Sequence, residues 1–179
     1  MTAIADEIRA RLKPLVGLRL SSTTRAADVR CFRFGRLPAP GREAVDQYVL
    51  HVQCSWRIEG PDGLLTGRSD LWEPAEDPAD VDLDAWDFDE DENLQDRMID
   101  VFLRGYDIHT GSFNDEANML VVEAVLGDAY GGATLTFSGG CRLVIFPAGS
   151  RGEDWRIFRP GVDEPHFVIA GGRVETEDE

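Results

Sequence analysis

Lysine is nearly missing from this chain: of its 18 basic residues only Lys13 is not an arginine. No Gly-x-x-x-x-Gly-Lys or Gly-x-Gly-x-x-Gly string occurs either, so the phosphate-loop and dinucleotide fingerprints are absent. Histidine and cysteine are scarce, at three each. His51, His109 and His166 form no His-x-x-x-His pair, and Cys31, Cys54 and Cys141 form no Cys-x-x-Cys pair, so zinc-ligand spacing is lacking. Asp107 and His109 offer two ligand types without a third. An odd number of widely spaced thiols fits a reducing compartment better than a disulfide framework. No stretch approaches the roughly 18 apolar residues of a membrane helix, and Met1 to Lys13 mixes acids and bases where a signal peptide would be apolar. These absences lead us to expect a cytoplasmic protein, neither exported nor inserted, with no cofactor and no metal.

What is present suffices for a core. The chain has 179 residues, 42% of them hydrophobic and 9% aromatic, enough to bury about 70% of the unfolded surface in one domain. The formal charge is −16, from 34 acids and 18 bases. Its distribution is uneven. Glu73 to Asp96 holds 12 acids and no base, residues 174–179 hold 4 acids and no base, and the rest of the chain holds 18 of each. The excess is therefore a local feature. The organisation expected is a single domain over 1–179, with segment 73–96 as a long insertion loop and 174–179 as a frayed acidic tail. A chain without a basic footprint is a poor ligand for a nucleic-acid backbone.

Thr2 is placed to cap a helix running to Leu12, with Ile4, Ile8 and Leu12 on one stripe and Pro14 marking its end. Leu94, Met98 and Phe102, with Ile99 and Leu103, predict a second amphipathic helix ending near Gly105. Between and after the helices the pattern is of strands: Leu18 to Ser22, Val29 to Phe34, Tyr48 to Ile58, Leu64 to Asp70, and five more from Leu120 to Ile169. The clearest is Tyr48 to Ile58, where Tyr48, Leu50, Val52, Cys54, Trp56 and Ile58 alternate with polar residues from His51 onward. Gly60 to Gly63 supplies a turn, so a hairpin with Leu64 to Asp70 is expected. Strand runs with only two helices predict an α+β fold, a mainly antiparallel, curved sheet or partial barrel. The echo of Trp56-Arg57-Ile58 in Trp155-Arg156-Ile157 raises the idea of two similar halves.

The strings LHVQCSWRI (Leu50 to Ile58), GRSDLW (Gly67 to Trp72), WRIFRP (Trp155 to Pro160) and HFV (His166 to Val168) resemble a family of uncharacterised bacterial proteins, actinobacterial in type and similar in length. The resemblance implies a cytoplasmic bacterial domain and carries over no activity and no site residue.

Several constellations invite a chemical reading. Asp80-x-Asp82-x-Asp84 begins like a calcium loop, yet Ala85 stands where the turn needs glycine and Asp91 where a bidentate glutamate belongs. Ala148-Gly149-Ser150-Arg151-Gly152 approaches a nucleophile elbow, but the following segment is a strand pattern and not a helix. Cys54 shares parity with buried residues and reads as core. His51, Gln53 and Arg57 share the polar face of one strand, and Arg68 and Asp70 would face them from its hairpin partner, which sketches a small-ligand wall.

The acidic segment resists a bland account best, because loops above about 12–15 residues are usually functional or disordered. In it Val81, Leu83, Trp86 and Phe88 alternate with acids, offering both charge and anchors. The expected partner-binding residues are Asp82, Asp84, Trp86, Asp87, Phe88, Asp89, Glu90 and Asp91. No catalytic residue stands out. The reading is a non-catalytic protein that engages a basic protein partner, antagonist or immunity-like, and no nucleic acid or membrane. The alternatives are a small-ligand domain around His51, Gln53, Arg57, Arg68 and Asp70, or an enzyme whose site is assembled from distant strands.

Overall fold

The first helix, α1, spans Ala3–Leu12 and continues as a 3-10 turn over Lys13–Leu15. Ile8, Leu12 and Leu15 are fully buried, as the apolar stripe requires. Five strands follow: β1 Arg19–Ala26, β2 Val29–Gly35, β3 Asp46–Val52, β4 Ser55–Gly60 and β5 Gly63–Gly67. A 3-10 turn at Arg68–Trp72 leads into the acidic segment and then α2, Leu94–Phe102. The remaining strands are β6 Tyr106–Asp107, β7 Ser112–Phe113, β8 Val122–Gly127, β9 Ala133–Phe137, β10 Arg142–Phe146, β11 Glu153–Phe158, β12 Phe167–Ala170 and β13 Arg173–Val174. The computed structural model describes residues 3–36, 46–103, 106–107, 112–113 and 120–175. Thr2, Gly105, His109 and residues 176–179 lie outside them, while Val174, assigned to the tail from sequence, is held in β13 against Ile169.

The fold is α+β, built on two antiparallel sheets and a separate two-stranded pair of β6 and β7. One sheet has the order β1-β2-β3-β11-β12-β13, the other β5-β4-β10-β9-β8. Their inner faces meet in one hydrophobic cluster that also takes in the buried faces of both helices. Phe32 of the first sheet meets Trp56 of the second edge to face, at 5.5 Å between ring centroids. Backbone bonds between Leu18 and Val122 and between Leu20 and Leu120 tie β1 to the start of β8, yet the barrel does not close.

This arrangement corrects the expectation of one strand from Tyr48 to Ile58. The chain leaves the first sheet after Val52 and enters the second at Ser55, and both intervening N–H groups, of Gln53 and Cys54, donate to the Asp154 carbonyl at 2.9 and 3.0 Å. Alternation survives the crossing because the sheets face each other, so Leu50 and Val52 look into the core from one side and Trp56 and Ile58 from the other. Only β4 hairpins with β5. The partners of β3 are β2 and β11. The two Trp-Arg-Ile strings sit in opposite sheets, on β4 and β11.

In α2, Ile99 and Leu103 of the expected stripe enter the core beside buried Gln95, while Leu94, Met98 and Phe102 are half-buried. Close approach of α1 to β8 is permitted by Gly127, where a Cβ would stand 2.6 Å from the Ala5 carbonyl oxygen.

The acidic segment and the outer sheet faces as candidate sites

Segment 73–93 is built from turns that its own aspartates initiate. Asp77, Asp82 and Asp87, five residues apart, each accept a hydrogen bond from the backbone N–H two residues on, from Ala79, Asp84 and Asp89 at 3.0, 3.2 and 2.8 Å. Their carbonyls close the same turns, accepting from Asp80, from Ala85 and Trp86, and from Glu90 and Asp91. These are Asx turns, in which a short carboxylate replaces a backbone acceptor. The ladder that resembled a calcium loop therefore spends Asp82 on Asp84's own backbone.

The far end of the segment is clamped to the domain. Phe88 packs against Trp72 at 4.5 Å between centroids, and the Arg25 guanidinium lies over the Phe88 ring, 5.7 Å from its centroid. Arg25 also donates to the Phe88 carbonyl at 3.2 Å and to the Asp89 carboxylate at 2.5 Å. Buried Asn93 donates to the same carbonyl, while its side-chain oxygen caps α2 by accepting from Asp96 N–H at 2.9 Å.

Behind the clamp lies a polar knot that sequence reading missed. Arg30 on β2, only 4% exposed, donates to Gln95 and to Asp96, and Gln95 in turn donates to the carbonyls of Gly67 and Arg68 at 3.0 and 3.3 Å. Burial raises the Asp96 carboxyl, but Arg30's charge and hydrogen bond, with help from Asn93 and Arg25, overcome this and hold it below its ordinary range. Burial acts on Arg30 itself, lowering its pKa. The only sequence signal was the pairing of polar residues with strand or helix positions that should face inward.

Of the eight residues expected to bind a partner, Phe88 and Asp89 are thus clamped to the rest of the domain, and the carboxylates of Asp82, Asp87 and Asp91 accept hydrogen bonds from the segment's own backbone. Trp86 is half-buried, and its indole N–H is enclosed without a described acceptor. Asp82, Asp84, Asp87, Glu90 and Asp91 are exposed, as is Leu83 at 56%. Among the 12 acids of 73–96, Asp89, Glu92 and Asp96 pair with arginines, and the other nine pair with no described cation. Trp86 and Val81 line a groove of about 420 Å³ whose other walls include Glu76, Asp82, Asp91 and Glu92.

The five residues sketched as a small-ligand wall are not brought together, because the chain changes sheets between them. His51 on β3, and Gln53 just after it, are on the outer face of the first sheet. His51 meets the Phe158 ring edge-on at 4.9 Å, His166 stacks on that ring at 4.3 Å, and Gln53 donates to Glu153, which Arg156 grips. Burial, then the charges of Arg156 and Arg33, lowers the His51 pKa. Arg57, on β4, is on the outer face of the second sheet, over Phe146 and bonded to Glu59 at 2.7 Å. Arg68 pairs with Asp28 at 2.6 Å, and Asp70 accepts from Thr66 and from Gly67 N–H, which closes a local turn.

Cys54 is poorly suited to nucleophilic work: burial, then the nearby Asp154 carboxylate, pushes its thiol up to about 12. Ser150 stands in the loop between β10 and β11, with a strand after it. Among the described residues no three His, Cys, Asp or Glu side chains gather as metal ligands, and no helix is long and apolar enough to cross a membrane. Compared with family models, curated proteins and solved structures, the chain matches none, which leaves the geometry of its own residues as the ground for any functional reading.

Proposed function

We propose that this protein is a non-catalytic interaction protein that engages a basic protein partner through segment 73–93, using Asp82, Asp84, Trp86, Asp87, Glu90 and Asp91, with Leu83 as an exposed apolar contact. The observation that carries this reading is the nine carboxylates without a described cation, gathered on a segment that is nevertheless pinned at Arg25 and Asn93. A segment already ordered forfeits less conformational entropy on binding than a free tail would. The Trp86 groove adds specificity, since an aromatic wall beside carboxylates suits the stem and cationic head of an arginine or lysine. Phe88 and Asp89 serve the reading indirectly, by holding the segment in place.

The test is capture from a lysate of the source cells with three forms of the protein: wild type, a segment variant, and a charge-matched control. The segment variant converts Asp82, Asp84, Asp87, Glu90 and Asp91 to amides and spares Asp89 for Arg25. The control converts Glu7, Asp62, Glu123, Asp163 and Glu175, which lie elsewhere. A partner of basic character retained by wild type and control but lost from the segment variant supports the reading. Equal retention by all three, or capture of nothing above background, refutes it.

A further inference from the structure

A second groove, of about 530 Å³, runs between the end of α1 and the strands β3, β11 and β12, and shares no residue with the acidic segment. Its walls are unlike the rest of this acidic molecule. Phe167, Phe158, Tyr48 and Pro14 supply aromatic and apolar surface, and Arg11 and Arg159 supply two guanidiniums. The single carboxylate lining it, Glu164, is already gripped by Arg159 through two bonds of 2.6 Å each. Arg11 makes no ion pair with a described residue and is held instead over the Phe167 ring, at 5.4 Å from its centroid. An arginine fixed on an aromatic face keeps its planar fork of donors free for a carboxylate.

We propose that this groove binds a small organic anion, a carboxylate carrying an aryl or short apolar body. The carboxylate meets Arg11, and the body lies against Phe167, Phe158 and Pro14. The volume is within the roughly 300–1,000 Å³ of small-molecule sites. Charge selects the class. With Glu164 neutralised by Arg159, the groove carries one uncompensated positive charge at Arg11, whereas the charged residues lining the groove beside Trp86 are all acids, which reject anions. A fully apolar ligand would leave that charge unanswered, and a cation would be repelled.

Three probes of one shape separate these cases: 3-phenylpropionate, its neutral amide, and 3-phenylpropylamine, each titrated into the full chain by calorimetry and by amide NMR shifts. The acid is expected to bind, with shifts at residues 10–13, 48, 158 and 167, the amide to bind at least about tenfold more weakly, and the amine not at all. Arg11→Gln should bring the acid down to the affinity of the amide with little change in the melting temperature, because the side chain is exposed and its contact with the Phe167 face is a weak one at such a site. Glu164→Gln should tighten the acid several-fold, a gain that damage to the fold cannot produce. Equal binding of acid and amide, an unchanged affinity in Arg11→Gln, shifts mapping elsewhere, or no saturation with any probe would each overturn the proposal.

Discussion

Arg30 illustrates how a single charged side chain can hold three elements at once. It is buried on β2, and its guanidinium joins Gln95 and Asp96 at the start of α2, while Gln95 reaches the carbonyls that follow β5. Removing one member of a buried ion pair costs about 3–5 kcal/mol, and because Asp96 keeps 38% exposure the loss here should be roughly 2–3 kcal/mol. Denaturant unfolding of Arg30→Ala checks this, and a loss below about 1 kcal/mol would mean that water replaces the guanidinium without penalty. His51 gives a pH signature of its own. Its folded pKa lies below the ordinary 6.5, so the unfolded chain takes up a proton that the folded chain resists. The stability it contributes is present above pH 6.5 and is lost as pH falls toward the folded value. His51→Gln should flatten the dependence of the melting temperature on pH just below 6.5, and an unchanged slope would locate the titration at another group.

At the scale of elements, the acidic segment is a run of Asx turns, and this makes a sharp distinction between substitutions. Asn retains the side-chain oxygen that Asp77, Asp82 and Asp87 use, and Ala does not. Replacing all three by Ala should speed amide hydrogen exchange across 79–91, each lost cap costing about 0.5–1 kcal/mol locally, and leave global unfolding unchanged. Replacing them by Asn should leave exchange nearly as in wild type. Fast exchange in both variants would mean that charge, and not the turns, orders the segment. Sequence showed the acidic-apolar alternation here but not its role, since the five-residue spacing of Asp77, Asp82 and Asp87 was masked by the denser ladder at Asp80, Asp82 and Asp84. The strands β8 to β12 were readable to within about two residues, with Arg142 to Phe146 recovered in full, while the short β6, β7 and β13 were not. The sheet change at Gln53 and Cys54 was not, because inward-facing parity is the same on both sides of a two-sheet core. The burial of Gln95 was not legible for a different reason: periodicity counts amides as solvent-facing, and only tertiary partners such as Arg30 make a buried one tolerable.

For the whole molecule, the division of charge sets the behaviour. Everything outside residues 73–96 and the acidic tail sums to zero, so the long-range field comes from two places. Neutralising the field by amide substitution in the segment should slow association with a basic partner, while the same number of substitutions elsewhere should matter less, since exposed charges are screened beyond about 8–10 Å at physiological salt. The most direct measurement is the association rate of the captured partner against ionic strength, for wild type, the five-amide segment variant and the charge-matched control. The account predicts a steep fall with salt for wild type and control, and a slower rate with a clearly shallower salt dependence for the segment variant. Three parallel salt dependences of similar rate would contradict it, because net charge alone, and not segment 73–93, would then be drawing the partner in.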